Sequence, residues 1–336
     1  RLDYGGGGNP SPSYYQDLPS YFLADDDGPD YAGAYQAEQN FLNNGQIDWE
    51  RILDANITNN ANDISAAYSL YEDRADDTQL TVNSIISTEI NENIIVNGAV
   101  NYKNFKSENF GEIIDLLGSK VGVLNVDSFD NYQYDAQNPN SVVGEGDKYR
   151  YNYNLYADVI SAYAQGQFKY NKVDFYVSAN VTNTTYQREG LWEHSRFAGD
   201  LSYGKGKELS FTGIGAKAGT TYKISGKHLI DVNAGYITRA PSLRNTFSNS
   251  RENHSVVKNI EEEKVSSLDA SYIFRSPIVK AKLTGFFTKI EDANEVSFYY
   301  ADGLSAADDI ENNDTSAFVQ EVLQGIDKKH FGLEFG

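Results

Sequence analysis

Leu80, Val82, Ser84, Ile86, Thr88 and Ile90 stand at every second position of one stretch, with Gln79, Thr81, Asn83, Ser87 and Glu89 between them. After Asn91-Glu92-Asn93, Ile94, Val96, Gly98, Val100 and Tyr102 alternate with Asn97, Asn101 and Lys103. Side chains change face at every residue of a strand, so this is a hairpin with one apolar and one polar face. A sheet in a soluble domain buries its apolar face under another layer. Here the pattern recurs along the chain and no helical stretch is placed to cover it. A closed barrel in lipid, with a wet interior, removes the need for a second layer.

Three more strand pairs follow. Tyr149, Tyr151, Tyr153, Leu155, Ala157 and Val159 alternate with Arg150, Asn152, Asn154 and Asp158; after Tyr170-Asn171-Lys172, Val173, Phe175, Val177, Ala179 and Val181 alternate with polar residues. A Gly-rich strand from about Leu209 to Lys223 turns at Ser225-Gly226-Lys227 into Leu229 to Thr238, with Ile230, Val232, Ala234 and Tyr236 on its apolar face. Leu268, Ala270, Tyr272 and Phe274 lead through Ser276-Pro277 to Val279, Ala281, Leu283, Gly285 and Phe287. A last strand runs into Gly336. The tight connections near Glu92, Asn171, Gly226 and Ser276 alternate with long polar ones, as short periplasmic turns alternate with long outside loops in outer-membrane barrels. The expected fold is therefore all-β: an antiparallel transmembrane β-barrel segment of about nine long strands, with long extracellular loops that contain short helices.

Residues 1–65 read as a loop region and 66–336 as the barrel segment. Gly5 to Gly8, Pro10, Pro12 and Pro19 are expected to break any regular element. Ala34, Ala37, Glu38 and Phe41 have helical spacing, and Asp48 is placed to cap a second helix carrying Trp49, Ile52 and Leu53. A further helical turn is expected at Ile113, Ile114, Leu116 and Leu117. Both ends look cut, and we expect a longer polypeptide.

Charge and composition narrow the partners. The 28 Lys and Arg against 48 Asp and Glu give a net −20, which argues against nucleic acid. No Cys is present, so no disulfide, zinc-thiolate site or cysteine nucleophile exists. No run approaches the ~18 apolar residues of a membrane helix, and mean hydropathy is −0.54; neither bears on barrel strands, whose alternate residues are polar. The 25 Tyr and 17 Phe suit interfacial girdles.

No catalytic constellation emerges, and no enzyme, cofactor or metal is assigned. His194, His228, His254 and His330 are scattered. Asp25-Asp26-Asp27-Gly28-Pro29-Asp30 lacks the spacing of a calcium loop and reads as a solvated turn. Gly213, Gly215 and Gly219 have the wrong spacing for a dinucleotide fingerprint and sit in a strand, where glycine relieves crowding.

The ordered motifs Arg239-Ala240-Pro241-Ser242-Leu243-Arg244-Asn245, Ser250-Arg251-Glu252-Asn253, Gly285-Phe286-Phe287-Thr288, Phe298-Tyr299-Tyr300-Ala301-Asp302-Gly303 and Phe331-Gly332-Leu333-Glu334 resemble TonB-dependent outer-membrane receptors of the Bacteroidota type. Upstream, Leu18-Pro19-Ser20-Tyr21, Gln46-Ile47-Asp48-Trp49 and Asp115-Leu116-Leu117-Gly118 look like loops of the same receptors. The resemblance implies a barrel of about 22 strands around a plug. It also implies a place in the cell outer membrane, and import of a siderophore, oligosaccharide or similar ligand into the periplasm. The partners implied are outer-membrane lipid, the TonB energy-transducing complex acting through a plug absent from these residues, and a possible surface lipoprotein. Trp192, Tyr299 and Tyr300 are the candidate ligand-binding residues, with packing or interfacial roles as the plainer reading. The strand pattern alone also admits a passive outer-membrane porin or a surface glycan-binding, adhesion β protein.

Overall fold

β-Branched and aromatic residues at alternate positions, punctuated by Asn, Gly and Ser-Pro turns, extend the backbone and return it on itself. A computed structural model describes residues 1–4, 6–24, 28–128, 131–301 and 317–336. Nine long strands carry the fold among these residues: β1 (Ser69–Asn91), β2 (Ile94–Asp115), β3 (Lys148–Lys169), β4 (Val173–Gly190), β5 (Leu209–Lys223), β6 (His228–Arg239), β7 (Glu263–Arg275), β8 (Lys280–Ala301) and β9 (Ala317–Phe335). Each lies beside its sequence neighbour, in one sheet running from β1 to β9. Leu2–Asp3 pairs antiparallel with Ser69 and Leu70 at the β1 edge. The tight connections fall where the sequence puts them; Tyr170 N–H donates to Val173 O, Ser225 N–H to His228 O and Ser276 N–H to Val279 O.

The chain divides into two compact units. One comprises residues 77–107, 155–189 and 205–336, the other residues 1–76, 108–154 and 190–204. In the first unit the expected inversion of ordinary burial is present. Phe175, Val177 and Val181 of β4, Ile214 and Tyr222 of β5, Ile230 and Tyr236 of β6, Leu268 and Tyr272 of β7, and Leu283 and Phe287 of β8 are all exposed. Val232 is half-buried. Between them on the opposite face, Asp174, Tyr176, Ser178, Asn180, Asp231 and Asn233 are half-buried, and Ser271 and Thr284 are buried. The register carries the apolar positions straight across: Val177 faces Ala218, Ala218 faces Ala234, Ala234 faces Leu268 and Leu268 faces Phe287. Beyond Asp77, β1 is exposed on both faces, because it ends the sheet.

The polar face is cross-linked. Tyr176 Oη donates to Asn233 Oδ1 at 3.2 Å, Asn233 Nδ2 donates to Asp231 at 2.8 Å and Asp269 at 3.0 Å, and Thr221 Oγ1 donates to Asp231 at 2.6 Å. Ser271 and Thr284 hydroxyls meet at 3.0 Å. Gly219 makes the crossing possible: a Cβ there would lie 2.1 Å from Asn233 Oδ1 and 2.4 Å from the Tyr176 ring. Gly215 is equally crowded by Asn180 and Ile237. The β5 glycines thus relieve crowding, as expected.

The second unit holds the helices. The five-residue α1 (Pro19–Leu23) begins on the proline expected to break structure; Pro at the first helical position has no N–H to lose and a preset φ. Asp30 caps α2 (Tyr31–Asn43), accepting from the Ala32 and Gly33 amides, and Asp48 caps α3 (Trp49–Ala61), accepting from the Arg51 amide. Asp25–Asp27 lie outside the described residues. The helical turn expected at Ile113 to Leu117 is absent. The strand β2 continues to Asp115 and the chain turns at Leu117 (φ +49°) and Gly118 (φ +83°). Pairing in the sheet overrides four clustered aliphatics, and Ile113 is buried against Ala66, Tyr71, Val123 and Tyr149. Tyr149, Tyr151 and Tyr153 at the start of β3 are all buried. Tyr149 belongs to that same cluster, so the loop end of β3 is covered by protein.

Asn56 holds α3 in place. It is fully buried. Its Nδ2 donates to the Tyr68, Leu116 and Leu117 carbonyls at 2.8, 2.9 and 3.1 Å, and its Oδ1 accepts from the Ala67 and Tyr68 amides at 2.8 and 3.1 Å. One amide thereby satisfies backbone groups of two segments that have no ladder of their own there.

Two outcomes are expected. Leu268→Arg lowers the unfolding free energy in lipid by about 2–4 kcal/mol, whereas Ser178→Arg on the polar face changes it by under about 1 kcal/mol; denaturant titration of protein folded into vesicles measures both. Asn56→Ala strands several buried backbone groups and costs about 2–4 kcal/mol, read as faster amide exchange at Ala67, Tyr68 and Leu117 with β6 and β7 unaffected.

Candidate functional site

Long connections are expensive to order unless their backbone polar groups find partners. The segments after β2 and after β4 find them in each other. Ser195 N–H donates to Gln133 O at 3.0 Å, Gln133 N–H donates to Ser195 Oγ at 2.9 Å, and Ala136 N–H donates to Glu193 O at 2.6 Å. This joint gathers aromatic side chains from both loops. The His194 ring lies 6.0 Å from Tyr132, 6.4 Å from Tyr134 and 5.7 Å from Phe197. Arg196 lies over Tyr132 at 5.2 Å and over Phe197 at 5.8 Å. His194 Nδ1 accepts from the Arg196 amide at 3.2 Å, which places the proton of its neutral ring on Nε2.

Beside this platform a second cationic group is tied down. Arg150, at φ +69°, reaches Asp3 at 3.3 Å and Tyr71 Oη at 3.4 Å, and its guanidinium lies over the Tyr71 and Tyr134 rings. Tyr149 Oη donates to Asp3 at 2.8 Å and Tyr134 Oη to Asp127 at 3.1 Å. Burial pushes both phenols well above the ordinary tyrosine range, and the neighbouring carboxylates push the same way. Burial works to lower the Arg150 guanidinium, but Tyr134, Tyr71 and Asp3 outweigh it and the group is raised. The Tyr134 and Tyr149 phenols are thereby held neutral and the Arg150 guanidinium charged.

In the other unit the connection after β6 is hung from β4. Arg188 is 2 % exposed, donates to Ser250 O at 2.7 Å and meets His254 Nδ1 at 3.0 Å. Tyr186 Oη donates to Pro241 O at 3.0 Å. Asn245 Nδ2 donates to Asn294 O at 2.8 Å, Gln320 donates to Ser248 O, and Arg239 pairs with Glu263 at 2.8 Å. The stretch Arg239 to Asn253 is thus a packed corner.

Of the three sequence candidates, Trp192 lies half-buried on the loop that carries His194 and Arg196. Tyr299 lies on β8 in the other unit, 49 % exposed and opposite Val319. Tyr300 is on the same strand, but its side chain lies outside the described residues, as does the acidic loop of residues 302–316. Sequence reasoning missed Tyr132, Tyr134 and Arg196, because only the pairing of two distant loops brings them together. Among the described residues no group of three or more metal-ligating side chains occurs.

The model of the TonB dependent receptor-like β-barrel family matches residues 1–336. The chain belongs to that family. Among solved structures, the copper transporter OprC is similar at 9 % identity with a TM-score of 0.31, over 78 % of this chain and 50 % of OprC. The chain thus spans about half the length of that structure. No curated protein matches the sequence. For a TonB-dependent receptor-like barrel the bare apolar face and the cross-linked polar face are the expected pair, lipid-ward and lumen-ward.

Arg188→Met is expected to leave the Ser250 carbonyl without its donor and loosen the corner by about 2–4 kcal/mol. Limited proteolysis within residues 240–259 then accelerates, while the β5–β6 hairpin stays protected.

Proposed function

We propose that this chain supplies barrel strands to an outer-membrane receptor that captures a ligand at its long loops and passes it to the periplasm. Membership of the family supports this. The observation that carries it is the alternation across β4 to β8, apolar side chains exposed and polar ones cross-linked. Only a lipid exterior and a wet lumen solvate both faces correctly. The short connections then lie at the periplasmic rim and the paired loops outside. Residues 1–65 are read as an extracellular loop region, and residues 66–336 as the barrel segment.

The energy comes from the TonB complex acting on a plug, as the family resemblance implies. No covalent chemistry is required. Trp192 on the loop after β4 and, separately, Tyr299 on β8 with Tyr300 next to it in sequence are the proposed aromatic contacts for a flat or ring-shaped ligand. The Bacteroidota type and a surface lipoprotein partner rest on the motif order alone.

The folded, mutually bonded loops favour a receptor over a passive porin, since an open pore gains nothing from ordering them. In cells, uptake through the intact receptor is expected to stop when TonB is deleted or the proton gradient is collapsed, with surface binding retained. Uptake that persists unchanged would make the protein a porin. Recovery without detergent would make it a soluble adhesion module.

A further inference from the structure

Helix α2 buries its small residues and shows its large ones. Its only buried residues are Ala34 and Ala37. It seats on α1 through another small residue: a Cβ on Gly33 would lie 2.6 Å from the Phe22 ring, and the Asp30 amide donates to Phe22 O at 2.9 Å. Tyr31, Tyr35 and Leu42 are left 74 %, 62 % and 69 % exposed. With Glu38 they stand at i, i+4, i+7 and i+11, which puts all four on one line of the helix. From residue 31 to residue 42 the line is about 16 Å long, so one small ring covers at most one of its apolar anchors. Helix α3 also exposes Trp49, Leu53 and Ile57, but it buries Ile52 and Asn56 completely and carries Arg51 in its first turn. Helix α2 has neither a large buried residue nor a base. An exposed apolar line of this kind marks a surface that meets a partner.

Three kinds of occupant fit such a line by shape, and charge chooses among them. Residues 2–50 hold nine Asp and Glu and no Lys, Arg or His. A helix that lies on a lipid surface carries Lys and Arg along its polar face; α2 carries Gln36, Gln39, Asn40 and Asn43 there instead. A second copy would bring the same acids together, because antiparallel two-fold pairing sets Glu38, near the middle of the line, close to its own counterpart. Like charges then oppose association, whereas a basic partner meets neither obstacle. We propose that the line of Tyr31, Tyr35, Glu38 and Leu42 is a docking surface for a basic amphipathic helix of another polypeptide. The partner's apolar stripe covers the two tyrosines and Leu42, helix against helix, and a Lys or Arg beside that stripe pairs with Glu38. This goes beyond the proposed transport and applies to a receptor and a porin alike.

The test uses the detergent-solubilised full-length protein and three synthetic helical peptides: one with Leu on one face and Lys on the other, a twin with Glu for Lys, and a twin with Ser for Leu. The Leu/Lys peptide is expected to bind at least about 10-fold tighter than either twin and to weaken as salt is added. Tyr35→Ser combined with Leu42→Ser changes no charge and is expected to lose at least about 10-fold in affinity. Amide exchange at Ala34 and Ala37 checks that α2 stays folded in that variant; Glu38→Gln, which removes no apolar surface, is expected to weaken the Leu/Lys peptide in either case. Equal binding of the three peptides, or binding that both variants leave unchanged, is mere attraction to an acidic surface and overturns the proposal. In cells, a photo-cross-linking residue in place of Tyr35 is expected to capture a Lys- or Arg-rich amphipathic stretch of another protein, read by mass spectrometry of the joined peptides. Capture of lipid, of a second copy or of another part of the same protein overturns the proposal, and so does no capture. None of these outcomes bears on uptake, whose TonB dependence tests the receptor reading separately.

Discussion

A surface that exposes valine, leucine and phenylalanine while half-burying aspartate and asparagine on the opposite face is stable only where the outer solvent is itself apolar. In water that arrangement is backwards, since burying apolar area is what favours folding. In hydrocarbon the constraint changes. Every backbone N–H and C=O must be paired within the protein, and a sheet of consecutive hairpins does this residue by residue. The strands β4 to β8 obey that rule, with no register shift in any of their four pairings. The rest of the chain is arranged around keeping that register.

Register in turn depends on what the polar face contains. A slip of one residue would put Asp231, Asn233 and Asp269 into lipid and Val232 into the lumen. The Asn233 amide, bonded to carboxylates on its own strand and on β7, makes such a slip costly. Its reach toward Tyr176 passes over Gly219, so a residue with no side chain is as necessary to the network as those with long ones. Charge-assisted bonds of this kind are stronger than neutral ones, more so where water is scarce.

Much of this was legible from residue order alone. Period-two patterning gives the strands, Asn91 to Asn93 and Ser276-Pro277 give the turns, and Asp48 gives the start of α3. The misses share one cause. The Ile113 to Leu117 stretch was read by local pattern, whereas its fate was set by residues far away in sequence, such as Ala66 and Tyr71. Tyr132 and Arg196 likewise become neighbours through backbone bonds between two loops. Pairing across a long separation leaves no periodic trace. Pro19 is a different case, since the same residue ends a helix inside it and favours one at its first position.

Tyr186 and Arg188 stand on β4, yet the backbone they hold belongs to the loop after β6. That loop therefore depends for its shape on those two strand positions. Grafting residues 240–262 onto a sister receptor without its Tyr-x-Arg pair would transplant a shape stripped of its scaffold, so loop diversification in such proteins should proceed by paired exchange rather than by free substitution at the rim.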